Sequence, residues 1–240
     1  MRIFLSTNKI NERMLMEIFQ THEARNNFLK LVLKIILVLA GIQFLRVILF
    51  GVLSAITQPL VLLHIIWNGL SFIIVGMILL IYFKPSLNDL GLGYDSIGLR
   101  TRILYITGFS VLSTLILSQY ISEWELSVLI FSMVFGIITP VFEELLFRGY
   151  IWSKLNESDG IISPDILTFL TVTLLFGVWQ LGYIDFFIRN PVIMGNAGML
   201  ITLKIGISLV LGLIVGFLRF KSDKTYASII IHGLWNIFEP

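Results

Sequence analysis

The chain has 240 residues, 57% of them apolar and only 13% charged, with a formal net charge of +2 and a mean hydropathy of +0.92. A soluble domain of this length is about 45–50% apolar and about 25% charged. Most of this chain therefore cannot face water, which excludes a disordered protein, a nucleic-acid binder and an ordinary cytosolic enzyme. The absence of cysteine excludes a small disulfide-stapled secreted domain. What remains is an all-α fold, a polytopic transmembrane helical bundle of about seven spans around a buried polar cavity. In lipid only helices and closed barrels satisfy their backbone hydrogen bonds, and the unbroken apolar runs here lack the alternation of barrel strands.

Three regions follow in chain order: a polar N-terminal segment over 1–28, a first group of transmembrane helices over 29–125, and a core over 126–240. The N-terminal segment lacks the short apolar run and small-residue cleavage site of a secretory signal. Within it Ile10, Met14, Leu15, Ile18 and Phe19 recur at helical spacing. They read either as an amphipathic helix on the membrane surface or as a loosely ordered tail.

Spanning about 30 Å of hydrocarbon takes about 20 apolar residues. The apolar runs place spans near 29–54, 60–83, 103–119, 126–151, 163–187, 199–218 and 225–238, the last being short. Between the second and third lies a turn-rich loop, Lys84 to Gly93. With the N-terminus inside, twelve lysines and arginines from Arg2 to Lys224 fall in the inner segments, against Arg189 alone outside. That bias predicts a cytoplasmic N-terminus and an outer C-terminus.

A charge inside the bilayer costs at least about 2.5–3.5 kcal/mol on insertion scales. Lys34, Arg46 and Lys204 lie toward span ends, where such side chains snorkel to the interface. The fourth span is different, because it carries Pro140, Glu143, Glu144 and Arg148 in an otherwise apolar helix. Glu144 and Arg148 are i, i+4 and can pair. Glu143 points about 100° away, so it needs a partner on another helix, a wet cavity or a proton. Pro140 frees a backbone carbonyl and kinks the helix.

His232 and Asn236 on the seventh span are again i, i+4, a pair able to hold a water, a metal or an oxyanion. Gln180 is the strongly polar side chain in the middle of the fifth span. By itself it reads as interhelical hydrogen-bond glue. All three features sit near their helix midpoints and can meet at one depth. Gly206, Ser208, Gly212 and Gly216 on the sixth span permit the close packing that would enclose them.

Glu143-Glu144-Leu145-Leu146-Phe147-Arg148 matches an EExxxR motif, Phe176-x-x-x-Gln180 stands where FxxxH is expected, and His232-x-x-x-Asn236 matches HxxxN. In this order, each on its own helix, they resemble the CPBP family of CAAX prenyl endopeptidases and bacteriocin-processing (Abi) membrane proteases. The resemblance covers about Ser127 to Phe238. It implies an intramembrane bundle with a water-accessible cavity, a bacterial plasma membrane, and hydrolysis of a membrane-associated peptide or protein in contact with the lipid bilayer.

By resemblance, Glu143 would activate water, Glu144 and Arg148 would support it, and His232 and Asn236 would stabilise the oxyanion. In the metalloprotease reading, Glu144, His232 and Asn236 would help hold a divalent metal such as zinc. The departure is Gln180, since a carboxamide neither takes up a proton near neutral pH nor ligates zinc well. His64 on the second span is a distant candidate to replace the missing imidazole. Two readings stand level: an endopeptidase with an altered site, and a catalytically impaired relative acting as a scaffold, immunity or regulatory membrane protein. A transporter or channel using Glu143 is a third, opposed by the lack of an inverted repeat.

Overall fold

A computed structural model describes residues 18–56, 61–94, 97–189 and 194–238. The expected surface helix around Ile10, Met14 and Leu15 lies outside the described residues. Six helices are long and apolar enough to cross a membrane. They are α1 (His22–Ala55), α2 (Val61–Phe83), α3 (Leu99–Glu123), α4 (Leu126–Asn156), α5 (Pro164–Tyr183) and α6 (Ala197–Ser222). With this helical, strand-free architecture over the described residues, the protein is an integral membrane bundle. The seventh expected span is α7 (Tyr226–Phe238), an apolar helix of 13 residues. At 1.5 Å per residue it is about 20 Å long, short of the hydrocarbon thickness.

Local chemistry sets the ends. Thr21 caps α1 by accepting the Ala24 N–H at 3.0 Å, so the helix starts before the apolar run does. Trp124 and Asp223 close α3 and α6 in the left-handed conformation, each returning its N–H to the preceding turn.

Helix α4 is not regular. Two π-helical stretches, Val134–Ile138 and Leu145–Ile151, flank the α-helical Thr139–Glu144. Pro140 explains part of this. In the first stretch the Thr139 N–H bonds to the Val134 carbonyl, so the next position in the ladder should serve Phe135, and a proline there has no N–H to give. The Phe135 carbonyl instead accepts the Asn236 amide at 2.9 Å. In the second stretch the Arg148 carbonyl accepts Nε–H of Arg219 at 2.7 Å. Both irregular stretches are thus stitched to another helix by a side chain.

The main core joins α1, α2, α4, α5 and α6 through Phe28, Phe72, Phe147, Phe176, Trp179 and Val215. Small residues bring α5 and α6 together as expected. A methyl on Gly177 would sit 2.5 Å from Leu209, and one on Gly216 would sit 2.8 Å from Phe169. Gly206 is the exception and faces no neighbour. The 84–93 loop is wedged beneath this core. Gly91, at φ +65°, lies under Thr225, whose hydroxyl donates to the Leu90 carbonyl at 2.7 Å. Gly149 lets Leu90 backbone approach α4, since a Cβ there would meet the Leu90 carbonyl oxygen at 2.9 Å. The motif-free first half is therefore fastened to the helices that carry the motifs.

Candidate active site

Glu143 and Glu144 leave α4 in different directions, and both are buried, at 2% and 0% exposure. Glu144 Oε1 accepts from Arg148 at 3.1 Å, the i, i+4 pair expected on one helix. Arg148 is itself fully buried. Its second terminal nitrogen donates to the Gly212 carbonyl at 3.3 Å, and its guanidinium lies over the Phe176 ring at 4.2 Å. A charged pair in an apolar interior holds only when its remaining donors are used. Here the backbone of α6 and an aromatic face take up much of that demand.

Glu143 finds its partners on α5. Its Oε1 accepts the indole N–H of Trp179 at 2.8 Å and the phenol of Tyr183 at 2.6 Å. The sequence leaves Glu143 a partner on another helix, a wet cavity or a proton, and names neither of these two residues. The available signal was their spacing: they bracket Gln180 within one turn of the same helix, and both are aromatic donors.

Gln180 is buried too, but it turns back on its own helix, with its amide 3.4 Å from the Phe176 carbonyl. Among the described residues no hydrogen bond joins it to Glu143, Glu144 or His232. The position where the motif would have histidine thus makes no described hydrogen bond to the carboxylates.

Two cations expected to snorkel do something else. Arg46 is fully buried. It donates to Gln43 at 2.8 Å, Asn68 at 3.1 Å, the Gly182 carbonyl at 2.5 Å and Asp185 at 2.5 Å. Its guanidinium also lies 5.3 Å from the Tyr183 ring centroid. Lys204 is half-buried, with Nζ 5.1 Å from that same centroid. Position near a span end decided the earlier expectation, whereas the 3₁₀ turn closing α5 and Asp185 supply a buried anchor. Lys34 remains exposed.

His232 links the two carboxylates from α7. Its Nδ1 is 2.8 Å from Glu144 Oε1, and its Nε2 is 3.8 Å from Glu143 Oε2. The ring meets Phe176 edge-on, with centroids 5.8 Å apart at 86°. A carboxylate held by Arg148 favours Nδ1–H as donor, leaving Nε2 directed at Glu143. Asn236 does not join this group. Its amide serves the Phe135 carbonyl, and the residue lines a cleft of about 560 Å³ with Gln119, Glu123 and Ser132 near the Trp124 turn.

A catalytic zinc takes three protein ligands, and among the described residues no three His, Asp or Glu side chains converge to hold an ion. Of the three suggested ligands, Glu144 gives its Oε1 to Arg148 and His232 while its Oε2 is buried without a hydrogen-bond partner, and the Asn236 amide donates to backbone. His64 on α2 meets Phe50 of α1 edge-on, with ring centroids 5.8 Å apart at 72°.

A second cavity, about 450 Å³ in volume, lies between α1, α2 and α4 and is lined almost wholly by apolar side chains. It reaches Phe72 and Phe142, whose rings stack at 5.0 Å. Phe72 in turn touches Tyr183 at 5.9 Å. This aromatic wall separates an apolar groove from the buried carboxylates.

Comparison with protein families matches residues 124–238 to a family described as type II CAAX prenyl endopeptidase Rce1-like. The matched segment starts at the Trp124 turn and holds all three motifs. A search of curated proteins found no match, and neither did a search of solved structures.

Proposed function

We propose that this chain, which belongs to the type II CAAX prenyl endopeptidase Rce1-like family through residues 124–238, is an intramembrane endopeptidase acting on a membrane-associated peptide or protein. The observation carrying this reading is the facing pair Glu143 Oε2 and His232 Nε2, 3.8 Å apart. Each group is fixed from behind, Glu143 by Trp179 and Tyr183 and His232 by Glu144.

A water between the two free atoms would hydrogen-bond to both. Glu143 would take its proton as the oxygen attacks a peptide carbonyl, and would then hand the proton to the departing amine. Arg148 anchors Glu144 at 3.1 Å, and Glu144 in turn orients His232 through Nδ1 at 2.8 Å. The cleft at Asn236, which has Gln119, Glu123 and Ser132 in its lining, lies one helical turn from His232 and would be the source of that water. The apolar groove ending at Phe72 and Phe142 offers a place for a hydrophobic segment of substrate. No step here uses a metal.

One observation favours a second reading. Gln180 is buried, turned to its own backbone and chemically unable to relay a proton. In that case the protein would be a catalytically impaired relative that binds a peptide or partner as a scaffold, immunity or regulatory protein.

The test uses the full chain in proteoliposomes with hydrophobic peptides, prenylated and not. Wild type, Glu143→Ala and Gln180→His are compared. The enzyme reading expects turnover by wild type and a loss of about 10²–10⁴ in Glu143→Ala. Turnover only in Gln180→His establishes the second reading, and turnover that survives Glu143→Ala removes the first.

A further inference from the structure

The position expected to carry histidine makes no described hydrogen bond to the carboxylates, yet the carboxylate that needs support is not left alone. Tyr183, three residues further along α5, donates to Glu143 Oε1 at 2.6 Å. Its ring lies close to two cations, Arg46 at 5.3 Å and Lys204 at 5.1 Å. A cation near an aromatic face draws electron density from the ring, and in a medium of low dielectric this strengthens the phenol as a donor. Both cations come from outside the three motifs. Arg46 is on α1, before the matched segment begins, and is itself anchored by Asp185 and Asn68.

We infer that Tyr183, polarised by Arg46 and Lys204, is the positioning residue of Glu143, holding Oε1 so that Oε2 faces His232. This rests on the hydrolase reading above and extends it. Support for the carboxylate comes from one helical turn beyond position 180, and it ties the unmatched N-terminal half of the chain to the site. Trp179 holds the same oxygen, but its indole lies beside no such cation among the described contacts. The phenol is therefore the donor that responds to Lys204.

The experiment compares wild type, Tyr183→Phe, Lys204→Met and the double variant in proteoliposomes. Tyr183→Phe keeps the ring and its packing and removes only the hydroxyl. A hydrogen bond to a charged group contributes about 1.5–3 kcal/mol. The expectation is therefore a fall in kcat of about 10- to 100-fold with KM within about twofold of wild type. Lys204→Met should lower kcat in the wild-type background and have no effect once the hydroxyl is gone. A merely structural lysine would lower both backgrounds alike, and that result, or an unchanged kcat in Tyr183→Phe, overturns the inference.

Should no form hydrolyse peptide, Gln180→His included, the hydrolase reading has failed. The hold on Glu143 is then read from thermal unfolding of Glu143→Gln, Tyr183→Phe and the pair. Tm losses that overlap sustain the hold on Glu143, and losses that simply add remove it.

Discussion

Arg148 has no exposed surface and three kinds of partner: a carboxylate, a backbone carbonyl and an aromatic face. Removing it leaves the buried Glu144 carboxylate with His232 as its one described hydrogen-bond partner. Arg148→Met should therefore lose about 3–5 kcal/mol of stability. Replacing both partners, as Glu144→Leu with Arg148→Met, should recover much of that loss. Unfolding in mixed micelles of the two variants checks both statements. The Glu144–Arg148 pair was legible because i, i+4 spacing puts both on one face. That Glu143 needs a partner on another helix, a wet cavity or a proton was legible from its 100° offset, but which of the three, and the identity of its partners, was not. Trp179 and Tyr183 look like ordinary core aromatics until the rotation of α5 against α4 is known. Arg46 misled for a similar reason, since sequence gives its distance from a span end and not the presence of Asp185 across the bundle.

Helix α7 works through close approach as much as through its polar residues. Gly233 lies against the Gly136 carbonyl of α4, and a Cβ there would come within 2.4 Å of that oxygen. Backbone cannot yield as a flexible side chain can. Gly233→Ala should therefore push α7 outward, costing about 1–3 kcal/mol and lengthening the reach from His232 to Glu144. A lower Tm together with lost turnover is the expected result, and an unchanged Tm would show that α7 slides freely. The apolar run that became α7 was legible, as was the carbonyl freed by Pro140. That Asn236 caps this carbonyl was not, because the motif suggests a ligand or an oxyanion donor. Pairing it with Phe135 requires knowing that the ladder there has slipped to π spacing.

At the scale of the molecule, hydropathy alone gave the helical membrane class and the order of the spans. The tie between the two halves was not legible, because neither the 84–93 loop nor α1 carries a motif. The tie consists of backbone approach at Gly91 and Gly149 and of the buried Arg46 cluster. Orientation rests on the charge bias between loops and is open to direct test. The chain has no cysteine, so single substitutions report cleanly. Asp159→Cys should react with an impermeant maleimide only when the cytoplasmic face is opened, and Ser122→Cys should react on intact cells. The reverse pattern would invert the topology.

The slipped ladder of α4 also bears on how such a site is inherited. A π stretch differs from regular helix by one surplus residue in a turn, so it arises or vanishes by insertion or deletion rather than by substitution. Loss of a single residue from the Val134–Ile138 stretch would leave Glu143, Glu144 and Arg148 spelled as before. It would also turn them about 100° relative to the helix preceding them, away from α5 and α7. Two chains with the same motif letters can therefore differ in whether those letters face a neighbour or face lipid, and sequence gaps a few positions upstream of the carboxylates tell them apart.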